Sequence, residues 1–457
     1  MMRGTSAAVV APVDESAPDD RVTAPRPVTY RGANQLTRTT AALAVNTVMT
    51  SAFGLAFWLV VSHRYTARQV GTDSALLSSM LLLSSLTELN FSTALPRLLP
   101  QVRRNRHRVV ALCFLATGAA GAVVATAFAF LVPHVVVNLR FLLQSKELAL
   151  AFIVGLVLFN LFAVQDAVLV ATRRASTVPV KNTLFGLAKL GLVLVLVGRL
   201  AGHGIFAAWL LATLLVALVV GVLLFATDEC RSASDVGQQT LLPLDGRRRL
   251  VRYLTLDWLA GLLGQGTADL LPLIVLAALG RAVTGYFYIA FVVTTAVATF
   301  SQSFSVSLLV EGAHDESALE ELTRRTLVRY GAVVLPALLV AVVVAPSGLR
   351  VFGTQYAVQA GTVFRLFLLA TIPQTAVAVA MSVERVRGRA DRVLRFQAAT
   401  AVTALVLVVP LVREAGLAGV GLAWLAAQAV TFLLVLPTLV GVLSSQRQTA
   451  GQTVSNP

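Results

Sequence analysis

Twelve long apolar stretches run through this chain, and the thirteen hydrophilic gaps around them are alternately rich and poor in arginine. The odd-numbered gaps hold 27 of the 37 Lys and Arg residues, and the even-numbered gaps hold 8. A helix needs about 20 apolar residues to cross a bilayer, and an excess of Lys and Arg marks loops that stay in the cytoplasm. The pattern therefore predicts twelve membrane-spanning helices with both termini cytoplasmic.

The composition supports an all-α polytopic membrane protein. Only 13% of the residues are charged, about half the share of a soluble domain. Backbone polar groups in lipid need partners within their own segment, and no run alternates as an outer-membrane strand would. We place the twelve spans at 40–61, 74–96, 109–131, 148–171, 182–198, 204–226, 253–279, 285–308, 330–346, 359–382, 396–412 and 417–442.

The chain divides into two sets of six spans. The longest internal gap, 227–252, separates an N-terminal lobe at 40–226 from a C-terminal lobe at 253–443, and residues 1–39 and 444–457 are read as cytoplasmic tails. An offset of 213 places Phe91–Leu95 over Phe304–Leu308 and Pro133 over Pro346, and Gly204–Leu210 matches Gly419–Leu425 after two more residues. After six crossings the chain is back on its starting side, so both sets cross the membrane in the same sense. The matches therefore predict two parallel repeats with a substrate path between them.

Several classes of function are excluded or disfavoured. The net charge of +15 is distributed by membrane side, which indicates anionic lipid headgroups as its partner and not nucleic acid. Cys113 and Cys230, the two cysteines, offer no metal-ligand spacing, and there is no phosphate-binding loop. The even-numbered gaps are short and offer isolated polar groups only. We therefore expect no metal, no cofactor and no enzymatic activity.

Polar residues inside the spans are the candidate site, because such residues are costly in lipid and tend to mark pathways. Lys189 and Arg365 are the two cations inside apolar stretches, and we expect them to attract an anionic substrate. The alternative for each residue is a structural pair or a side chain that reaches an interface, and Lys189 in particular could pair with Glu88 or Asp166. The eight cavity candidates are Lys189, Arg365, Glu88, Asp269, Asp166, Asp257, Gln265 and Asn182.

A resemblance to a known family rests on motifs in order along the chain. Phe53-Gly54-Leu55-Ala56-Phe57-Trp58 leads to Tyr65 and Gly71, and the next span closes in Pro96-Arg97-Leu98-Leu99-Pro100. The segments Asp166–Arg174, Val310-Glu311 and Phe352–Ala357 agree. Over about residues 40–443 the chain resembles bacterial polysaccharide flippases, of the superfamily shared with multidrug and toxin extrusion transporters and the lipid II flippase.

The resemblance implies an alternating-access bundle in the bacterial cytoplasmic membrane, with a multidrug-and-toxin-extrusion-like fold of two lobes. It also implies a substrate, an undecaprenyl-diphosphate-linked oligosaccharide. Glycosyltransferases or a polysaccharide polymerase would be partners, and a proton or sodium ion, acting at Asp269 or Glu88, would couple transport. Two alternatives stay open: a drug/cation antiporter of the same fold, and a non-transporting scaffold for glycosyltransferases.

Overall fold

A computed structural model of the protein describes residues 49–88, 90–99, 102, 106–172, 174–199, 202–226, 244–312 and 319–453. All of them belong to one compact unit, Ala42–Pro457. These residues form helices and contain no strand. The predicted N-terminal tail and residues 227–243 of the predicted linker lie outside the described part of the chain.

Each of the twelve predicted stretches contains helix. The first half of the chain holds α1 (49–64), α2 (Ala67–Thr87), α3 (Phe91–Leu98), α4 (Arg106–Val135), α5 (Phe141–Gln144), α6 (Lys146–Ala171), α7 (Thr177–Val195) and α8 (Gly204–Ala226). The second half holds α9 (Leu244–Leu279), α10 (Arg281–Gly312), α11 (Leu319–Arg329), α12 (Leu335–Leu349), α13 (Thr354–Val386), α14 (Ala390–Ala415) and α15 (Leu417–Thr453).

The helices have the composition of a membrane-spanning bundle. Within the described residues, ten helices are long and apolar enough to cross a bilayer by length and composition. Large apolar side chains cover the outside, as at Val135 and Val343, which are 83% and 74% exposed. Buried positions instead include polar residues such as Asn160, Lys181 and Asp269. Apolar groups outside and polar groups inside fit a lipid solvent, so the chain is a multi-pass membrane protein.

Two predicted spans depart from a regular α-helix. Span 2 breaks after α2 at Asn90, whose φ of 59° is left-handed, a conformation that asparagine tolerates. The amide of Asn90 donates to the carbonyl of Leu254 in α9, 3.0 Å away, which fixes the break against the second half. The first residues of span 9, Tyr330–Val334, form one turn of π-helix between α11 and α12. Such π-turns insert an extra residue into a helix.

Two helices, α9 and α15, extend nine or more residues past a predicted boundary. At 1.5 Å per residue the 36 residues of α9 extend about 54 Å, far beyond the roughly 30 Å of a hydrocarbon core. α9 starts inside the predicted linker, and α15 continues to Thr453, so residues 444–453 of the predicted tail are helical.

The internal repeat is visible in the secondary structure. Pro133 lies near the end of α4, and a 3₁₀ turn, Val137–Leu139, follows. Pro346 lies near the end of α12, and a 3₁₀ turn, Arg350–Phe352, follows. The two turns are 213 residues apart, the offset predicted from the sequence.

The two halves meet through α2, which packs on α9 and α10. We call the side of the bundle with the odd-numbered gaps the arginine-rich side, and the opposite side the arginine-poor side. On the arginine-poor side α2 crosses α10 at Gly71 and Gly285, where a Cβ on Gly71 would collide with the carbonyl of Arg281. Only glycine permits this approach of two backbones.

Further contacts between the halves lie beside this crossing. The Asn138 amide donates to the Leu276 carbonyl at 2.7 Å, and the Arg281 guanidinium lies 4.7 Å from the centre of the Phe141 ring. The rings of Trp58 and Tyr288 are 4.8 Å apart. Together these contacts close the space between the halves toward the arginine-poor side.

Candidate functional site: a polar cavity in the second half

A cavity of about 720 Å³ is lined by α1, by one residue of α2 and by five helices of the second half. The contributing helices of the second half are α9, α10, α13, α14 and α15. Its volume lies within the range of small-molecule sites. From α1 the lining residues are Thr50, Ser51, Gly54 and Leu55, and a Cβ on Gly54 would meet nothing within 4 Å.

Amides, hydroxyls and aromatic rings make up much of the lining. The amides are Gln265, Gln302, Gln374, Gln397 and Gln428, the hydroxyl residues include Thr294, Thr295, Thr299, Ser382 and Thr400, and the rings are Tyr288, Phe291, Phe367 and Trp424. Amides can donate and accept hydrogen bonds at once, and hydroxyls can do the same. The rings offer flat apolar faces. This combination suits a ligand with many hydroxyl groups and apolar ring faces.

The helices hold these groups in defined positions. The hydroxyls of Thr294, Thr295 and Thr299 each donate to the carbonyl four residues earlier, at 2.8 to 2.9 Å, so their free lone pairs can accept. In α9, a Cβ on Gly264 would lie 2.8 Å from the Gln397 amide. Glycine at that position therefore lets the Gln397 side chain reach across from α14.

Asp269 is the negative charge of this lining. It is 3% exposed, and its Oδ1 accepts from the Gln265 amide at 3.1 Å. Its other carboxylate oxygen, Oδ2, has no partner. Tyr288 lies nearby, and its hydroxyl bonds to Ser78 of α2. Gln265 and Asp269 are four residues apart and so lie on one face of α9, where this hydrogen bond joins them.

Arg385 is the positive charge among the described lining residues, and it lies at the arginine-rich end of α13. Its Nε donates to Asp257 of α9 at 2.9 Å. Its neighbour Glu384 is fully buried and accepts from Arg392 at 3.1 Å and from Thr438 at 3.2 Å. The arginine-rich mouth of the cavity is thus a network of paired charges.

Lys189 and Arg365 do not line this cavity. Arg365 is exposed on the outside of α13. Lys189 is 7% exposed and lies in the first half, inside an aromatic cage: its ammonium is 4.8 Å from the ring centre of Phe57, 5.0 Å from that of Phe185 and 5.6 Å from that of Trp209. Phe57 of α1, which forms one wall of this cage, is not among the residues that line the cavity.

Asp166 and Asn182 belong to a separate, partly buried cluster. The Asp166 carboxylate bonds to Asn182 and makes an ion pair with Lys181, 2.7 Å from its Oδ1. The expected alternative of an Asp166–Lys189 pair is therefore wrong. Lys181 also donates to the Phe162 carbonyl at 2.6 Å, and its side chain has no exposed surface. Lys181 was expected in a hydrophilic gap, so its burial in α7 was not predicted.

Glu88 directly follows α2 and is partly buried, with Oε1 unpartnered. It lies at the end of a helix that begins at Ala67 on the arginine-poor side, so it is nearer the arginine-rich side. The sequence also missed Asp73, which is fully buried. Asp73 accepts from His203 at 2.8 Å and from the first backbone N–H groups of α8, so it caps that helix from α2.

No protein-family model and no curated protein matches the chain. Solved structures do. An outward-facing multidrug resistance MATE-family transporter of the MOP superfamily aligns with a TM-score of 0.62 at 15% identity, over 91% of this chain and 96% of that one. The lipid II flippase MurJ, in an inward closed conformation, gives 0.65 at 10% identity, over 88% and 89%. A MOP-superfamily transporter from Pyrococcus furiosus gives 0.55 at 13%, over 89% and 96%.

The chain has the fold of these transporters. The fold predicted from the sequence resemblance is confirmed, and its structural neighbours are transporters and a flippase.

Proposed function

We propose that the protein is a flippase that carries an undecaprenyl-diphosphate-linked oligosaccharide across the bacterial cytoplasmic membrane for cell-surface polysaccharide synthesis. The lining of the cavity carries this proposal. Five glutamines, a set of hydroxyls and four aromatic rings suit sugars, which present hydroxyl groups at their edges and C–H groups on their faces. A lipophilic drug would offer few hydrogen bonds to this lining, whereas sugar hydroxyls can both donate to amides and accept from them.

The arginine-rich mouth would receive the substrate. We propose that this side is cytoplasmic, where lipid-linked glycans are assembled by glycosyltransferases. The diphosphate is anionic, and Arg385 is the cation nearest the sugar-binding surface. The glycan would enter the cavity, and the prenyl chain would stay in lipid. With the contacts between the halves closing the arginine-poor side, the described state would be one that accepts substrate from the cytoplasm.

Two arginines on one helix give a matched test. Arg385 lines the cavity, and Arg365 lies exposed on the outside of the same helix. A strain lacking the gene should accumulate lipid-linked glycan on the inner face. Complementation with Arg365→Gln should restore surface glycan fully. Complementation with Arg385→Gln plus Asp257→Asn, which removes the ion pair without stranding a charge, should restore it poorly at equal membrane abundance. Equal restoration by both would contradict the proposal.

The orientation is tested by thiol labelling. In a variant without Cys113 and Cys230, a cysteine at Gly202 should react with an impermeant reagent from outside, because its gap lies on the arginine-poor side. A cysteine at Ser234, in the part of the chain outside the described residues, should not react. The reverse pattern would refute cytoplasmic termini.

A second candidate, a drug/cation antiporter, is favoured by the unpartnered oxygen of Asp269, which could bind a cation or a coupling proton or sodium ion. It predicts drug sensitivity on deletion with unchanged lipid-linked glycans. A scaffold for glycosyltransferases predicts instead that charge-removing substitutions in the cavity leave surface glycan unchanged.

A further inference from the structure

We infer that the cavity selects glycans whose sugars carry no negative charge, and that Asp269 sets this preference. The inference rests on the proposed function and names its substrate class more narrowly.

The two charges of the lining lie at opposite ends of the cavity. Asp257, the partner of Arg385, precedes Asp269 by twelve residues on α9, which is about 18 Å along the helix axis. A lipid-linked glycan has the same polarity, with an anionic diphosphate at one end and sugars at the other. With the diphosphate at Arg385, the sugars extend toward Asp269.

The environment of Asp269 favours a donor as its ligand. Its Oδ1 is occupied by Gln265, and its buried Oδ2 has no partner. An ionised carboxylate has acceptor capacity only, so a sugar hydroxyl, an amide N–H or an ammonium group would satisfy it. A uronic acid or another acidic sugar would bring a second carboxylate to a site where the described lining offers no opposing cation.

Two carboxylates in a partly buried site cannot both be ionised without strong repulsion, because screening is weak there, so an acidic sugar binds beside Asp269 only at the cost of taking up a proton. The nearby groups do not relieve this repulsion. Tyr288 is neutral and bonded to Ser78, and Arg281, the cation nearest to Asp269 in the sequence, lies over the Phe141 ring of the first half. The buried lysines Lys181 and Lys189 also belong to the first half, where one is paired with Asp166 and the other is enclosed by aromatic rings. The cavity therefore discriminates by charge and tolerates variation among neutral sugars.

The test compares two undecaprenyl-diphosphate oligosaccharides that differ in one terminal sugar, glucose against glucuronic acid. The full-length protein in proteoliposomes should move the neutral lipid at least tenfold faster. Equilibrium binding in nanodiscs should show the same preference in dissociation constant. Asp269→Asn should reduce the preference to about threefold or less, and Asp269→Ser provides a second variant if the first fails to fold. Glu414→Gln removes an exposed carboxylate at the end of α14 and should leave the preference unchanged.

Equal rates and equal binding for the two lipids by the wild-type protein would overturn the inference and leave the proposed function standing. A preference that persists in both Asp269 variants would overturn the role of Asp269. If the wild-type protein moves neither lipid, the proposed function fails and the inference fails with it.

Discussion

The two halves of this molecule use buried polar groups in opposite ways. In the first half, several of them are satisfied by neighbouring protein groups: Asp166 pairs with Lys181, Asp73 caps α8, and Asn160 bonds to Ser84, Thr87 and the Thr117 carbonyl, while Oε1 of Glu88 has no partner. In the second half, many polar side chains face a cavity, and Asp269 keeps an oxygen free. Groups already satisfied stabilise a fold, and groups left free are available to a ligand.

Two tryptophans at matching positions of the repeat show the same contrast. Trp209 in α8 packs on Phe159 and Phe185, with ring centres 5.3 Å apart in both cases, and covers Lys189. Trp424 in α15 lines the cavity. A repeated sequence motif therefore supports packing in one half and presents a surface to ligand in the other.

Breaking the Lys181–Asp166 pair should have the largest effect. Lys181→Met leaves the partly buried Asp166 carboxylate without its cation, and because a third of that side chain is exposed, the cost lies below the roughly 3–5 kcal/mol of a fully buried pair. We expect sharply reduced membrane abundance and thermal stability. Abundance should recover in Lys181→Met with Asp166→Asn. Failure of the double variant to recover would mean that the pair is not the reason for the loss.

The matched tryptophans should separate stability from transport. Trp209→Leu removes ring contacts from the packed first half and should lower the free energy of unfolding by about 2–3 kcal/mol, somewhat less than for a fully buried ring. Trp424→Leu should change stability less and reduce glycan transport more. Thermal unfolding in detergent and transport in proteoliposomes measure the two effects. Similar losses of stability in both variants would contradict the distinction between the halves.

Lys189→Met should have the smallest effect. The side chain keeps its approximate length and stays in the aromatic cage, and no carboxylate among the described residues forms an ion pair with it, so none is stranded. Loss of a cation–π interaction costs about 0.5–2 kcal/mol, and removing a buried charge offsets part of that. We expect near-normal abundance and transport. A loss of transport at normal abundance would restore Lys189 as a substrate-binding residue.

The all-helical membrane architecture could be predicted because a long apolar stretch in lipid satisfies its backbone polar groups by forming a helix. Among the described residues, ten helices are long and apolar enough to cross a bilayer, and they correspond to ten of the twelve predicted spans. The 213-residue offset could also be recognised in the sequence, because Pro133 and Pro346 lie near the ends of equivalent helices. The break at Asn90 and the π-turn at Tyr330–Val334 were not predicted, because each depends on tertiary contacts or on one inserted residue within an apolar run.

The site was only partly predictable. Asp269 and Gln265 were found because a carboxylate deep in an apolar stretch stands out and their spacing places them on one face. Lys181 and Glu384 were missed because they lie at the ends of apolar stretches, where a charge usually reaches water. Lys189 has the depth expected of a cavity residue, but depth does not reveal direction, and only the fold shows which face of α7 meets α1.

The crossing of α2 and α10 at Gly71 and Gly285 has a mechanical consequence. With no side chain on either residue, parting the helices at this point requires no rotamer change and breaks no side-chain bond. It loses dispersion contacts of about 0.1–0.2 kcal/mol per atom pair. The crossing itself therefore adds little to the free energy needed to rotate α2 relative to α10. The resistance to separating the halves comes from the contacts around the crossing. These include the hydrogen bond from Asn138 to Leu276 and the contact of Arg281 with Phe141, which must be broken before the halves can part.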